Sequence, residues 1–105
     1  MCVIFNLNLF FLSSGHAATI YCMLLLPNGD LLSGSADSTI KMWNLESGMG
    51  FVECKKTFID HKAAVYSLKL LSDDKVISCS CDRTIRIWDI KNLMCIMQLT
   101  GNFFS

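Results

Sequence analysis

A histidine, a serine and an aspartate occur twice in this 105-residue chain in the same order: His16, Ser33 and Asp37, then His61, Ser78 and Asp82. These residue types can form a nucleophilic relay, in which an imidazole takes the proton of a serine hydroxyl and a carboxylate orients the imidazole. Such a serine has to stand at a substrate cleft beside donors for an oxyanion. The stretches around the two serines, Leu31-Leu32-Ser33-Gly34-Ser35 and Val76-Ile77-Ser78-Cys79-Ser80, have no resemblance to the strained Gly-x-Ser-x-Gly elbow. A trio that returns at a fixed interval reads as part of a structural repeat, and no catalytic residue is assigned.

The six cysteines are the other reactive set. Five of them, Cys22, Cys54, Cys79, Cys81 and Cys95, fall in segments predicted as strands, where buried free thiols are the default. Cys79 and Cys81 lie on one strand face with a single residue between them, and no second Cys or His pair stands at zinc spacing. Neither a metal nor a cofactor is expected. Nine basic and nine acidic residues balance, which gives no basic footprint for nucleic acid or an anionic membrane. Lys55, Lys56, Arg83 and Arg86 are too sparse for a stripe and read as solvated strand and turn edges.

The elements that must position these residues repeat with a period of 45. Asp30–Leu45 (DLLSGSADSTIKMWNL) returns as Lys75–Ile90 (KVISCSCDRTIRIWDI), superposing Ser33 on Ser78, Ser35 on Ser80, Asp37 on Asp82, Thr39 on Thr84, Ile40 on Ile85 and Trp43 on Trp88. Under the same shift His16 falls on His61 and Tyr21 on Tyr66. A period of 40 to 50 residues marks units that cannot bury their apolar surface alone. Each unit reads as four short strands separated by turn signals, with no helical period. The predicted strands are 19–26, 30–36, 39–45 and 51–58, then 64–71, 75–81, 84–90 and 94–100. Ile85-Arg86-Ile87-Trp88 puts bulk on both faces, so each sheet is covered on both sides.

In each unit an Asp stands 21 residues after the His and a Trp six residues after the Asp, followed by Asn44 or Asp89. With Gly15-His16 opening the first unit and Trp88-Asp89 closing the second, the chain resembles the WD-repeat β-propeller family over about residues 15–102. The resemblance implies an all-β fold of two four-stranded antiparallel blades, an incomplete propeller, with units at 15–59 and 60–101 and a tail at 102–105. It implies a buried hydrogen-bond chain in each blade, from turn Asp to His, His to strand Ser, and Ser to the Trp indole: Asp37, His16, Ser33 and Trp43, then Asp82, His61, Ser78 and Trp88. Ser35 and Ser80, two residues on along the same face, are the alternative serines. It further implies a binding rim at Thr19, Tyr21 and Ala36 in one unit and Ala64, Tyr66 and Cys81 in the other, with the tyrosines as anchors.

The function expected is a non-catalytic scaffold binding other proteins or peptides, in the cytoplasm or the nucleus, with no nucleic acid or membrane partner. Alternatives are the substrate-recruiting part of a larger assembly, such as a ubiquitin ligase adaptor or a repeat-bearing NTPase, and a secreted or membrane-associated binding protein. The latter would require residues 1–12 to be a signal, yet they lack a positive n-region, and cleavage near Ala17 would remove His16. Residues 1–14 are expected to be an apolar extension out of register with the repeat. Four extra residues, 49–52, are expected as a loop insertion, the alternative being an error in assembling the reading frame. Because a closed propeller takes four to eight blades, two blades are expected to be a fragment of a longer propeller, or else to self-associate into a ring.

Overall fold

Alternating side-chain identity along short β-branched runs, broken by Pro-Asn-Gly-Asp, Ala-Asp-Ser and Cys-Asp-Arg, produces a pure antiparallel fold. A computed structural model describes residues 18–45 and 53–100. The first sheet consists of β1 (Ile20–Leu25), β2 (Leu31–Ser35), β3 (Ile40–Asn44) and β4 (Glu53–Phe58). The second consists of β5 (Val65–Ser72), β6 (Lys75–Ser80), β7 (Thr84–Asp89) and β8 (Met94–Thr100). Both are simple meanders in which each strand pairs with the next, and the described residues contain no helix. His16, the 1–14 extension, the 49–52 insertion and the 102–105 tail lie outside the described residues.

The turns have local causes. Asn28 Oδ1 accepts from Asp30 N at 2.9 Å, and Gly29 supplies φ of 96° between β1 and β2, a conformation glycine adopts without a Cβ penalty. The β2–β3 and β6–β7 turns place Ser38 and Arg83 at φ of 73° and 68°. Both close by a backbone bond, Ser38 N to Ser35 O at 3.1 Å and Arg83 N to Ser80 O at 3.2 Å.

Register decides which face packs. In the first sheet Cys22, Gly34, Ile40 and Phe58 form one row and Leu24, Leu32, Met42 and Lys56 the next on the same face. This face meets the face of the second sheet that carries Leu68, Ser78 and Arg86 in one row and Val76, Trp88 and Cys95 in the next. Leu32, Ile40, Met42 and Phe58 thereby join Val65, Leu68, Val76 and Trp88 in one buried cluster. Phe58 and Trp88 meet edge to face, their centroids 4.9 Å apart, a favoured aromatic arrangement. The innermost strands approach most closely. A Cβ on Gly34 would lie 2.7 Å from Cys22 Sγ and 2.8 Å from Val65 Cγ1.

Trp43 points the opposite way from Ile40 and Met42, into a smaller cluster with Leu31. The two tryptophans thus occupy equivalent faces of successive sheets. On the far side of the second sheet, Ile77, Ile85, Ile87, Met97 and Leu99 share one face, and Met97 and Leu99 remain exposed there.

The cysteines follow position more than type. Cys22, Cys79 and Cys95 are half-buried, whereas Cys54 and Cys81 are exposed. Expected burial fails for these two because Cys54 pairs with Trp43 on the face turned away from the second sheet, and Cys81 lies in the turn just beyond β6.

Candidate functional site

In the second sheet the residues of the hydrogen-bond chain come together. The Trp88 indole Nε1–H donates to Ser78 Oγ at 2.8 Å, and His61 Nε2 lies 2.6 Å from the same oxygen. His61 Nδ1 is 2.9 Å from Asp82 Oδ2. One proton arrangement satisfies all four: indole to serine oxygen, serine hydroxyl to Nε2, and Nδ1–H to carboxylate. β6 supplies the serine, β7 the indole, the β6–β7 turn the carboxylate, and the link from β4 to β5 the imidazole.

Asp82 is the centre of the turn. Its Oδ1 accepts from Thr84 N at 2.9 Å and from Thr84 Oγ1 at 2.5 Å. Its Oδ2 also accepts from Lys62 N at 2.9 Å. Burial disfavours the ionised carboxyl, but the bonds from Thr84, Lys62 and His61 outweigh that and hold it well below the usual carboxylate range. Burial lowers the His61 pKa, and its bond to Asp82 offsets this only in part. Protonating Nε2 would also strip Ser78 of the acceptor for its hydroxyl, so the neutral imidazole is the form that fits.

In the first sheet, Trp43 Nε1 donates to Ser33 Oγ at 2.9 Å. Asp37 Oδ1 accepts from Thr39 N at 2.9 Å and from Thr39 Oγ1 at 2.6 Å, matching the second turn. The equivalent imidazole, His16, lies outside the described residues. The alternative serines have a different task. Ser35 Oγ donates to Thr19 O at 2.9 Å and accepts from Asp37 N at 3.1 Å. Ser80 Oγ donates to Ala63 O at 3.0 Å and accepts from Asp82 N at 3.1 Å. One serine of each pair binds the indole and the other ties the turn to the chain entering the innermost strand.

The distances between Ser78, His61 and Asp82 are those of a nucleophilic triad, but access is not. Ser78 is fully buried and His61 2% exposed, and the indole N–H occupies the serine oxygen that would attack. This trio can bear load and cannot meet a substrate in this conformation. Among the described residues, no group of three or more His, Cys, Asp and Glu side chains is placed to hold a metal ion, and no helix is long and apolar enough to cross a membrane.

The six rim residues fall into two equivalent sets. Ala36 N bonds Thr19 O at 2.8 Å, and Cys81 N bonds Ala64 O at 2.9 Å. Just beyond each bond the ladder slips: Ile20 pairs with Ser35 and Cys22 with Gly34, leaving Tyr21 without a cross-strand partner. The ladder slips at the same place in the second sheet, between Val65 and Ser67, where Tyr66 stands. A bulge re-aims its side chain, and Tyr21 and Tyr66 are 55% and 37% exposed. Thr19 and Cys81 are exposed, whereas Ala36 and Ala64 are half-buried. Sequence reasoning left Thr39 and Thr84 without a role, although the Asp-x-Thr spacing in both units carried that signal. Nothing in the sequence marks the bulges.

Two four-stranded meanders stacked face on face, each with an indole bonded to a strand serine, define successive blades of a β-propeller. The family profile described as "WD domain, G-beta repeat" matches residues 7–44 and 52–89, and the chain belongs to this WD40 family, whose members generally mediate protein–protein interaction. It is 50% identical over 46 residues to WD repeat-containing protein AAC3 of Dictyostelium discoideum, a match covering 43% of this chain and 9% of that protein. It is 44% identical over 50 residues to nuclear distribution protein PAC1 of Candida dubliniensis, covering 45% of this chain and 10% of that protein. Among solved structures, the WD40 β-propeller domain of Doa1 superposes with a TM-score of 0.70 at 27% identity over 84% of this chain and 29% of its own. The C-terminal WD40 domain of Sif2 gives 0.72 at 30% identity, over 85% and 24%. The chain therefore spans about a tenth of the curated relatives and about a quarter of the solved domains.

Proposed function

We propose that this chain is a non-catalytic protein-interaction module whose contact surface is the rim at Thr19, Tyr21, Ala36, Ala64, Tyr66 and Cys81. The observation that supports it is the pair of bulges. Both innermost strands slip register at the same place, and both present a tyrosine there. A tyrosine joins a large apolar area to a polar tip and suits an interface anchor. The partners are proteins or extended peptides, and nucleic acid and membrane are not among them.

The two blades work within a larger ring. The open apolar face of β5–β8 needs cover, and the chain's span of 24% to 29% of the solved WD40 domains fits a ring completed by further blades. The free thiols among the described residues suit a reducing compartment, and the cytoplasm is the location proposed. The test is a peptide-display selection against the immobilised chain. Peptides it enriches should lose binding to a Tyr21→Ala, Tyr66→Ala double variant, and undiminished binding would reject the rim.

A further inference from the structure

Arg86 stands on the face of the second sheet that packs on the first, and its side chain is 12% exposed, so it is no solvated edge. A guanidinium carries five N–H donors and no acceptor, and burying it is costly unless an anion is paired with it. This one is poorly served. Its Nη1 donates to the Cys95 thiol at 3.6 Å. Asp60 Oδ2 lies 3.9 Å from the same nitrogen, too far for a hydrogen bond, and among the described residues the buried Nε has no acceptor. The two groups that Arg86 meets, Asp60 and Cys95, line a cleft of about 310 Å³ between the sheets, together with Lys56, Phe58, Trp88 and Met94. Lys56 comes from the opposite wall, its Nζ 5.8 Å from the centre of the Phe58 ring. Among the described residues no carboxylate pairs with it.

We infer that this cleft binds a small aromatic monocarboxylic acid, its carboxylate drawn to Arg86 and Lys56 and its ring set against Phe58 and Met94. Charge selects the anion. Two cations against the single carboxylate of Asp60 leave the cleft positive, and a guanidinium is the side chain whose paired N–H groups match a carboxylate. An ammonium ligand would meet two like charges, and a neutral one would leave Arg86 as poorly paired as before. When the acid enters, Nη1 exchanges a weak sulfur acceptor for a charged oxygen. Cys95 loses nothing by this, because its Sγ donates to Met97 O at 3.4 Å, and Asp60, whose side chain is 47% exposed, is free to turn to solvent. The apolar walls select the body of the ligand, and the Phe58 ring favours an aromatic one. The volume is at the small end of ligand sites, which suits a molecule of this size taken whole. No rim residue lines the cleft, and both of its walls belong to this chain, so the site stands apart from the interaction surface and is complete without further sheets.

The experiment is a titration of the full 105-residue chain with phenylacetate, followed by nuclear magnetic resonance at the side-chain N–H signals of Arg86 and Trp88, with phenylethanol as the uncharged counterpart. The Arg86 Nε–H signal should move saturably with the acid, with a dissociation constant on the order of 1 mM, and should stay in place with the alcohol. Lys56→Gln, at an exposed position, should weaken binding about two- to fivefold. Arg86→Gln, read at Trp88, should weaken it about tenfold or more. Both variants should keep the tryptophan near-ultraviolet signal of the parent; should Arg86→Gln lose it, Lys56→Gln and the alcohol decide. No saturable shift at Arg86, equal shifts with the alcohol, or binding indifferent to Lys56→Gln would each overturn the inference. So would tighter binding of a short peptide ending in phenylalanine, which would give the cleft to a chain terminus.

Discussion

Asp82 and His61 are joined at 2.9 Å, which ties the β6–β7 turn to the segment that links the two sheets. The turn and the link therefore cannot move independently. Four donors converge on the Asp82 carboxylate, from His61, Lys62 and both the N–H and hydroxyl of Thr84. Deleting it strands a buried imidazole and a buried hydroxyl. Asp82→Ala should cost roughly 2–4 kcal/mol, about 10–25 °C in melting temperature for a domain of this size. Asp82→Asn keeps an acceptor and should cost less. Calorimetry of the three proteins checks the order, and equal melting for Asp82→Ala and the parent would remove the turn from the stability account.

The same pair sets an acid dependence. His61 titrates below its ordinary value of 6.5 in the fold, chiefly because burial disfavours the imidazolium. The unfolded chain therefore binds the proton first as pH falls. The stability His61 contributes is complete above 6.5 and is lost as pH drops from there toward its folded value, at no more than about 1.4 kcal/mol per pH unit. Asp82 is also depressed, so its contribution is complete above 3.8 and is lost below it. Urea unfolding should show a loss as pH falls below 6.5 that His61→Asn lacks, followed by a further loss as pH falls below 3.8. A parent and a His61→Asn variant with parallel profiles from pH 7 to 5 would show that the imidazole is not held neutral.

The period of 45 made the eight strands legible, because it aligned two imperfect copies of one pattern. The indole's partner was legible through the family resemblance, which gave Ser33 and Ser78, and not from the residue types alone. Ser33 and Ser35 share a type and a face, and only the register decides, by setting Leu31 opposite Trp43 and Ser33 opposite Lys41. The exposure of Tyr21 was legible only as a position, since the bulge that produces it bears no Gly or Pro. Cys81 looked like the end of a strand, but β6 stops at Ser80 because Asp82 draws the chain into its turn.

Gly34 has no positive φ, so its requirement is space alone. With Cys22 Sγ and Val65 Cγ1 both inside 3 Å of a built Cβ, Gly34→Ala must push the second sheet away or distort β2. Overpacking of this kind costs about 1–3 kcal/mol. Val65→Ala alone should also destabilise, but the double variant should recover part of the first loss, a coupling of about 0.5 kcal/mol or more between touching residues. Strict additivity in denaturant unfolding would mean that the two sheets do not meet at this point.

Arg83 carries the left-handed φ of 68° in the β6–β7 turn, and its side chain is exposed. For a residue with a Cβ that conformation costs on the order of 1–2 kcal/mol. Arg83→Gly removes the cost but adds freedom to the unfolded chain, so the net gain should be about 0.5–1 kcal/mol. Arg83→Ala keeps the Cβ and deletes the charge, and should leave stability within about 0.5 kcal/mol of the parent. The pair separates backbone from side chain. If Arg83→Ala stabilises as much as Arg83→Gly, the gain comes from the lost guanidinium and not from the turn. Ser38 holds the corresponding place in the first sheet with φ of 73°, so Ser38→Gly should reproduce the gain, and additive gains in the double variant would show that the two turns act independently.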